Sequence, residues 1–290
     1  MPNGDTHSEP RRAIKILLTA LASISLAVAY LLLGIAICVM TPATTAFVSG
    51  HASDFEKTPY EHDALVNLAA RTHEYVVVDH ENYGDPSYVL AAYMLSAAKA
   101  SMASPENTNK WTEDAQDVVA SAQPESGSAY VFKLHDIDPS YSFTLEERNA
   151  LDKANENLKG LLKGFLTMLI MSLIASMAVI LLMAKMFRAK AVALSLVLGG
   201  IICLLALVAF GLWGLIDMSG FCFAIRTLLF EGAPLDIVPN SLLAHMFPAG
   251  YWTGMLCCCI AICGMLAVSS VVAGIAIIKR SRNKGPIEAA

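Results

Sequence analysis

Hydrophobic positions gather into four long runs, residues 16–40, 164–184, 191–216 and 251–278, and none of the four contains Lys, Arg, Asp or Glu. Each run has the ~20 residues a helix needs to cross ~30 Å of hydrocarbon. The polar stretches between them divide the chain further. A terminal segment 1–15 precedes the first span, a long acid-rich segment 41–163 separates the first two, and a short hairpin 185–190 separates the second and third. A loop 217–250 precedes the last span, and residues 279–290 close the chain. The pattern predicts an all-α integral membrane protein: four transmembrane helices with a mostly helical domain between the first and second.

Within 41–163 the apolar spacing is mostly helical. Thr58, Pro59 and Glu61 form a capping pattern ahead of Leu65, Val66, Leu68 and Ala69, which predicts a helix of about five turns. Asp85-Pro86 opens a second helix through Val89, Leu90, Tyr93, Met94 and Leu95, closed by Ser104-Pro105. Thr112 with Glu113 and Asp114 predicts a shorter third, ending before Pro124, with Ser126-Gly127-Ser128 as a connection. Tyr130-Val131-Phe132 and Tyr141-Ser142-Phe143 read as short strands by alternation. Thr144-Leu145-Glu146-Glu147 is a second capping box, and its helix is expected to run without a break through Lys159 and Lys163 into the second span.

Composition agrees with a membrane location: 56% hydrophobic and 16% charged residues, with a mean hydropathy of +0.54, are too apolar for a soluble globule of this length. Charge adds an orientation. Residues 1–15, 185–190 and 279–290 carry ten Lys/Arg against Asp5, Glu9 and Glu288, whereas 42–163 and 217–250 hold ten basic residues and 22 acids. The positive-inside rule then places both termini and the 185–190 hairpin in the cytoplasm, with the acidic domain and the 217–250 loop on the outer face. A secretory signal is the competing reading of the first run, but its uncharged length exceeds the ~7 to 15 residues of a signal core, which favours a retained anchor. Cys38, Cys203, Cys257, Cys258, Cys259 and Cys263 fall in spans and Cys222 in the loop, so the large domain is expected to be stable without disulfides.

The 217–250 loop contains residues 221–230, apolar apart from Arg226 and too short to span, expected to lie in the interface or to re-enter. Asp236, Pro239 and Asn240 interrupt it before a second apolar stretch, 242–247. Two readings stay open: a site that handles lipid, or a lid between helix ends with Arg226 snorkelling to phosphates.

The residues Asp217, then Ile225-Arg226-Thr227-Leu228-Leu229-Phe230 and Gly232, then Phe247-Pro248-Ala249-Gly250-Tyr251-Trp252 resemble the signature of a bacterial integral-membrane family that includes the lipoprotein intramolecular transacylase. Residues 144–155 resemble that family's acid-led helix, and the order of spans, domain and loop is also similar. The resemblance implies a bacterial plasma membrane location and, in an active relative, acyl transfer from the glyceryl group of a lipoprotein to the amino group of its N-terminal Cys. It also implies lipid or lipoprotein as the partner. Such chemistry requires a base for the amine, donors for an oxyanion and an apolar groove. The family's histidines match Ala150 and Arg226 here. Alanine moves no proton, and arginine stays protonated and holds anions rather than serving as a base.

The expected function is therefore that of a divergent or inactive member binding lipid or lipoprotein at the outer face. The alternative is a sensory or scaffolding protein with a partner-binding domain, and a third reading is an active acyltransferase using His245. The candidate catalytic residues are Arg226, His245 and Glu147. Each has a plainer role: phosphate contact, interfacial or capping histidine, and capping carboxylate. His51, His62, His73 and His80 among acids suggest a metal, but His62 and His73 on one helix would lie ~16 Å apart, and a solvated face is the expected reading. The cysteines 257–259 and 263 lack paired metal spacing. No metal, cofactor or nucleic acid is expected, and the uncharged spans argue against an ion-coupled transporter.

Overall fold

A computed structural model describes residues 8–77, 86–122, 129–187, 189–230 and 238–283. Among them no strand occurs, and twelve α-helices follow in order: α1 Ser8–Met40, α2 Pro42–Ala52, α3 His62–Val77, α4 Pro86–Ala103, α5 Pro105–Thr108, α6 Glu113–Ser121, α7 Ala129–Ile137, α8 Leu145–Phe187, α9 Ala189–Ile216, α10 Met218–Phe230, α11 Leu242–Met246 and α12 Ala249–Asn283. Helices α1, α8, α9 and α12 contain the four apolar runs and are long enough to cross a membrane, so the chain is an all-α, multi-pass membrane protein. The chain divides into two compact units, one of 1–38, 164–216 and 259–290, the other of 39–163 and 217–258.

In the first unit small side chains let helix backbones come close, as packing in lipid requires. A Cβ at Gly200 would sit 2.7 Å from the Ala267 carbonyl. Hydroxyls are spent inside the bundle: Tyr30 donates to Ser270 Oγ at 2.7 Å, which donates to the Leu196 carbonyl at 3.0 Å. These bonds tie α1, α12 and α9 together where no water competes.

The second unit has its own apolar core, in which Tyr60, Leu65, Leu68, Tyr75, Met94, Leu134 and Phe143 from 39–163 surround Leu242, Leu243 and Met246 of α11. The second apolar stretch of the loop is thus core, not a free lid. Several sequence expectations hold here. Thr112 caps α6 by accepting from the Ala115 N–H, α4 starts at Pro86 and ends before Ser104-Pro105, and α8 runs unbroken for 43 residues. The 126–128 connection lies outside the described residues.

Two expectations are corrected. Thr58 does not cap α3; its hydroxyl closes the preceding 3₁₀ turn on the Phe55 carbonyl, and α3 starts at His62. Ahead of that start Tyr60 is fully buried and donates to the Tyr141 carbonyl at 2.8 Å, and the Glu61 N–H donates to Ser101 Oγ at 3.0 Å rather than to a Thr58 cap. Nor is 130–132 a strand. It lies in α7, whose buried Tyr130, Val131 and Leu134 follow helical spacing. Tyr141 ends a 3₁₀ turn, and Ser142 and Phe143 are buried without a strand partner.

Candidate functional site

Among the described residues of the second unit Glu147 is the most deeply buried acid, with no exposed surface. It lies on the first turn of α8, where the capping box forms as read. The Glu147 N–H donates to Thr144 Oγ1 at 2.9 Å, and the Thr144 N–H donates to Glu147 Oε2 at 3.1 Å. Its second oxygen reaches across 94 residues of sequence: Ser241 Oγ donates to Oε1 in a short bond, and the Val238 N–H donates to it at 3.3 Å. Ser241 in turn caps α11, accepting from the Ala244 N–H at 3.2 Å. One carboxylate therefore closes the start of α8 and the start of α11. Burial raises its pKa, while Ser241, Thr144 and Val238 oppose that rise with donated hydrogen bonds.

The turn that presents Ser241 depends on Asn240, whose φ of 63° lies in the left-handed region that Asn tolerates better than most residues. Four residues beyond Ser241, His245 is buried. Its backbone carbonyl accepts from the Asp54 N–H at 3.0 Å. Burial lowers the imidazole pKa, with Asp54, the Asn240 carbonyl and Asp138 pulling the other way and Lys57 assisting. A neutral imidazole is the form a base needs. The hydroxyl closest to it in sequence, Ser241, gives its proton to Glu147 instead.

The remaining candidates fall elsewhere. Ala150 lies one turn beyond Glu147 on α8, half-buried and with only a methyl to offer. Arg226 is on α10; its side chain lies outside the described residues. Asp217, at the end of the third span, folds over the first turn of α10, accepting from Ser219 Oγ and the Gly220 N–H, each at 2.8 Å. Those bonds lower its pKa. The structure thus brings Glu147 to the 238–246 segment and gives Asp217 a capping role.

A second polar chain was not visible in the sequence. His73 Nε2 lies 2.7 Å from the Val39 carbonyl, its Nδ1 lies 2.9 Å from Thr45 Oγ1, and that oxygen lies 3.1 Å from the Tyr251 hydroxyl. A carbonyl can only accept, so Nε2 carries the proton, Nδ1 accepts from Thr45, and Thr45 accepts from Tyr251. Burial lowers the His73 pKa, opposed by the Val39 carbonyl and Glu74. His73 is thus not on a solvated face, whereas Asp63, near the start of the same helix, is exposed. His62 bonds the Gly50 carbonyl at 3.0 Å and Asp63 at 3.2 Å. His80 lies outside the described residues, and among those described no group of three or more His, Cys, Asp and Glu is placed to hold a metal.

No family model, curated protein or solved structure matches the chain. The arrangement itself is therefore what bears on function. It consists of a buried Glu147 side chain that accepts three hydrogen bonds, a buried His245 whose pKa burial lowers and to which Ser241 delivers no hydroxyl proton, and an uncharged residue at 150.

Proposed function

We propose that the chain is a divergent, non-catalytic relative of the lipoprotein transacylase family that binds lipid or lipoprotein at the outer face of a bacterial plasma membrane. The observation that carries this reading is the engagement of Glu147. General acid or base work requires a group free to exchange its proton with substrate, and this carboxylate is sealed by Ser241, Val238 and Thr144. With alanine at 150, α8 has no proton carrier at the position matched to a family histidine. The capacity to bind is argued from α10, which follows the third span directly, exposes Phe223 and has Arg226 as its single charge. A cation in an apolar interfacial helix suits a phosphate or an ester carbonyl without transferring a proton.

Purification in polymer-bounded native membrane discs tests this, with mass spectrometry of the accompanying lipids and lipoproteins. The reading expects enrichment of anionic lipid or diacylglyceryl lipoprotein over bulk membrane, reduced several-fold in Arg226→Ala. Wild-type discs with bulk composition would contradict it. A scaffold that binds a protein partner is the second reading, favoured by the placement of Leu242, Leu243 and Met246 in the domain core. A stoichiometric protein in the same discs, with lipid at bulk composition, would support that reading instead.

A further inference from the structure

Helix α2 has no part in the reading above, and its chemistry is unusual for a helix outside the four spans. Residues 16–53 contain no Lys, Arg, Asp or Glu, so the uncharged character of the first span continues through all of α2 and stops at Asp54. A single extended residue, Thr41, separates α1 from α2. One face of α2 is buried through Thr45, Val48 and Ser49. The opposite face carries Ala43, Phe47 and His51 at helical spacing, all exposed. Phe47 leaves 63% of its surface uncovered. Its ring lies 4.9 Å from that of His51, whose Nδ1 bonds the Phe47 carbonyl at 2.8 Å.

The buried face of α2 fixes its position against the first turns of α12. Thr45 meets the Tyr251 hydroxyl, Ala52 lies beside Gly250, and Val48 is so close to Gly254 that a Cβ there would come within 2.6 Å of Cγ1. Tyr251 and Trp252 open the last apolar run, where aromatic side chains sit at headgroup level. Gly254 is about one turn further in. A helix packed against those turns, uncharged and continuous with the first span, has its outward face at the boundary between headgroups and acyl chains.

We infer that α2 is an interfacial helix whose Phe47 inserts into the bilayer, so that the lipid headgroup–acyl boundary is the partner of the Ala43, Phe47 and His51 face. An exposed phenyl ring on a charge-free helix gains by leaving water, and the usual basic face of a peripheral helix is unnecessary when α3 and the start of α12 already hold α2 in place. This surface is separate from α10 and does not depend on Arg226.

The test uses the full chain in vesicles of phosphatidylethanolamine with phosphatidylglycerol. The photo-crosslinking residue p-benzoylphenylalanine replaces Phe47 in one sample, Met171 on the outer face of α8 in a second, and Glu113 on α6 in a third. Position 47 is expected to yield lipid adducts at a level comparable to 171 and several-fold above 113. Adducts no more frequent than at 113, or adducts to protein in place of lipid, would overturn the inference. The position 171 sample shows that lipid capture works in these vesicles, and because Phe47 is 63% exposed an aromatic replacement there is expected to leave the fold intact, as checked by an unchanged thermal midpoint.

Discussion

A carboxylate withdrawn from water must be met by donors, and Glu147 is met by three. Glu147→Gln would turn one acceptor oxygen into an N–H₂ facing donors that have no other partner. It is expected to lower stability by about 1–3 kcal/mol, read as a fall in thermal midpoint in detergent. His73 and His245 make a second prediction. His245 is buried and His73 half-buried, and both have lowered pKa values, so below about pH 6.5 the unfolded chain takes up protons that the folded chain refuses. Stability is therefore expected to be level above that pH and to fall beneath it, by up to about 1.4 kcal/mol per pH unit for each group. Replacing both by Gln should flatten the fall, as followed by thermal unfolding across pH; half-buried His62, shifted upward, acts in the opposite sense. The local half of the Glu147 site was legible, because Thr144 and Glu147 have the spacing of a capping box. The other half was not, since no periodicity connects Glu147 to Ser241 or His73 to Thr45 and Tyr251.

Among the elements, capping residues were reliable wherever burial did not compete. Thr112 and Thr144 start α6 and α8 as their spacing predicts, whereas Thr58 closes a 3₁₀ turn, Tyr60 is bonded to Tyr141 and Glu61 to Ser101, and α3 starts only at His62. Helix α7 was misread as a strand because three residues, Tyr130, Val131 and Phe132, are too short a window to separate a period of 2 from one of 3.6. The α2–α12 contact gives a prediction of its own. Gly254→Leu would drive a side chain into Val48 and is expected to cost about 1–3 kcal/mol, seen as a lower thermal midpoint. Leu242→Ala, which empties a fully buried core position, is expected to cost about 2–5 kcal/mol. Its effect should exceed that of the same change at exposed Leu145.

For the whole molecule, the four spans were readable from hydropathy alone because hydrocarbon tolerates so few sequences: long, uncharged and helical. The position of α11 in the core of the second unit was beyond that reading. Its apolar residues have the same composition whether they face lipid or protein, and only tertiary packing separates the two. That placement, with Glu147 as the clasp between α8 and α11, supports the proposal that Glu147 and His245 maintain structure and do not transfer protons. The most direct measurement expresses the chain in bacteria that lack other lipoprotein N-acylating activity and examines lipoprotein N-termini by mass spectrometry. At verified expression, free amino termini are predicted in wild type and in His245→Ala alike. N-acylated termini in wild type that disappear in His245→Ala but persist in His62→Ala would contradict the account.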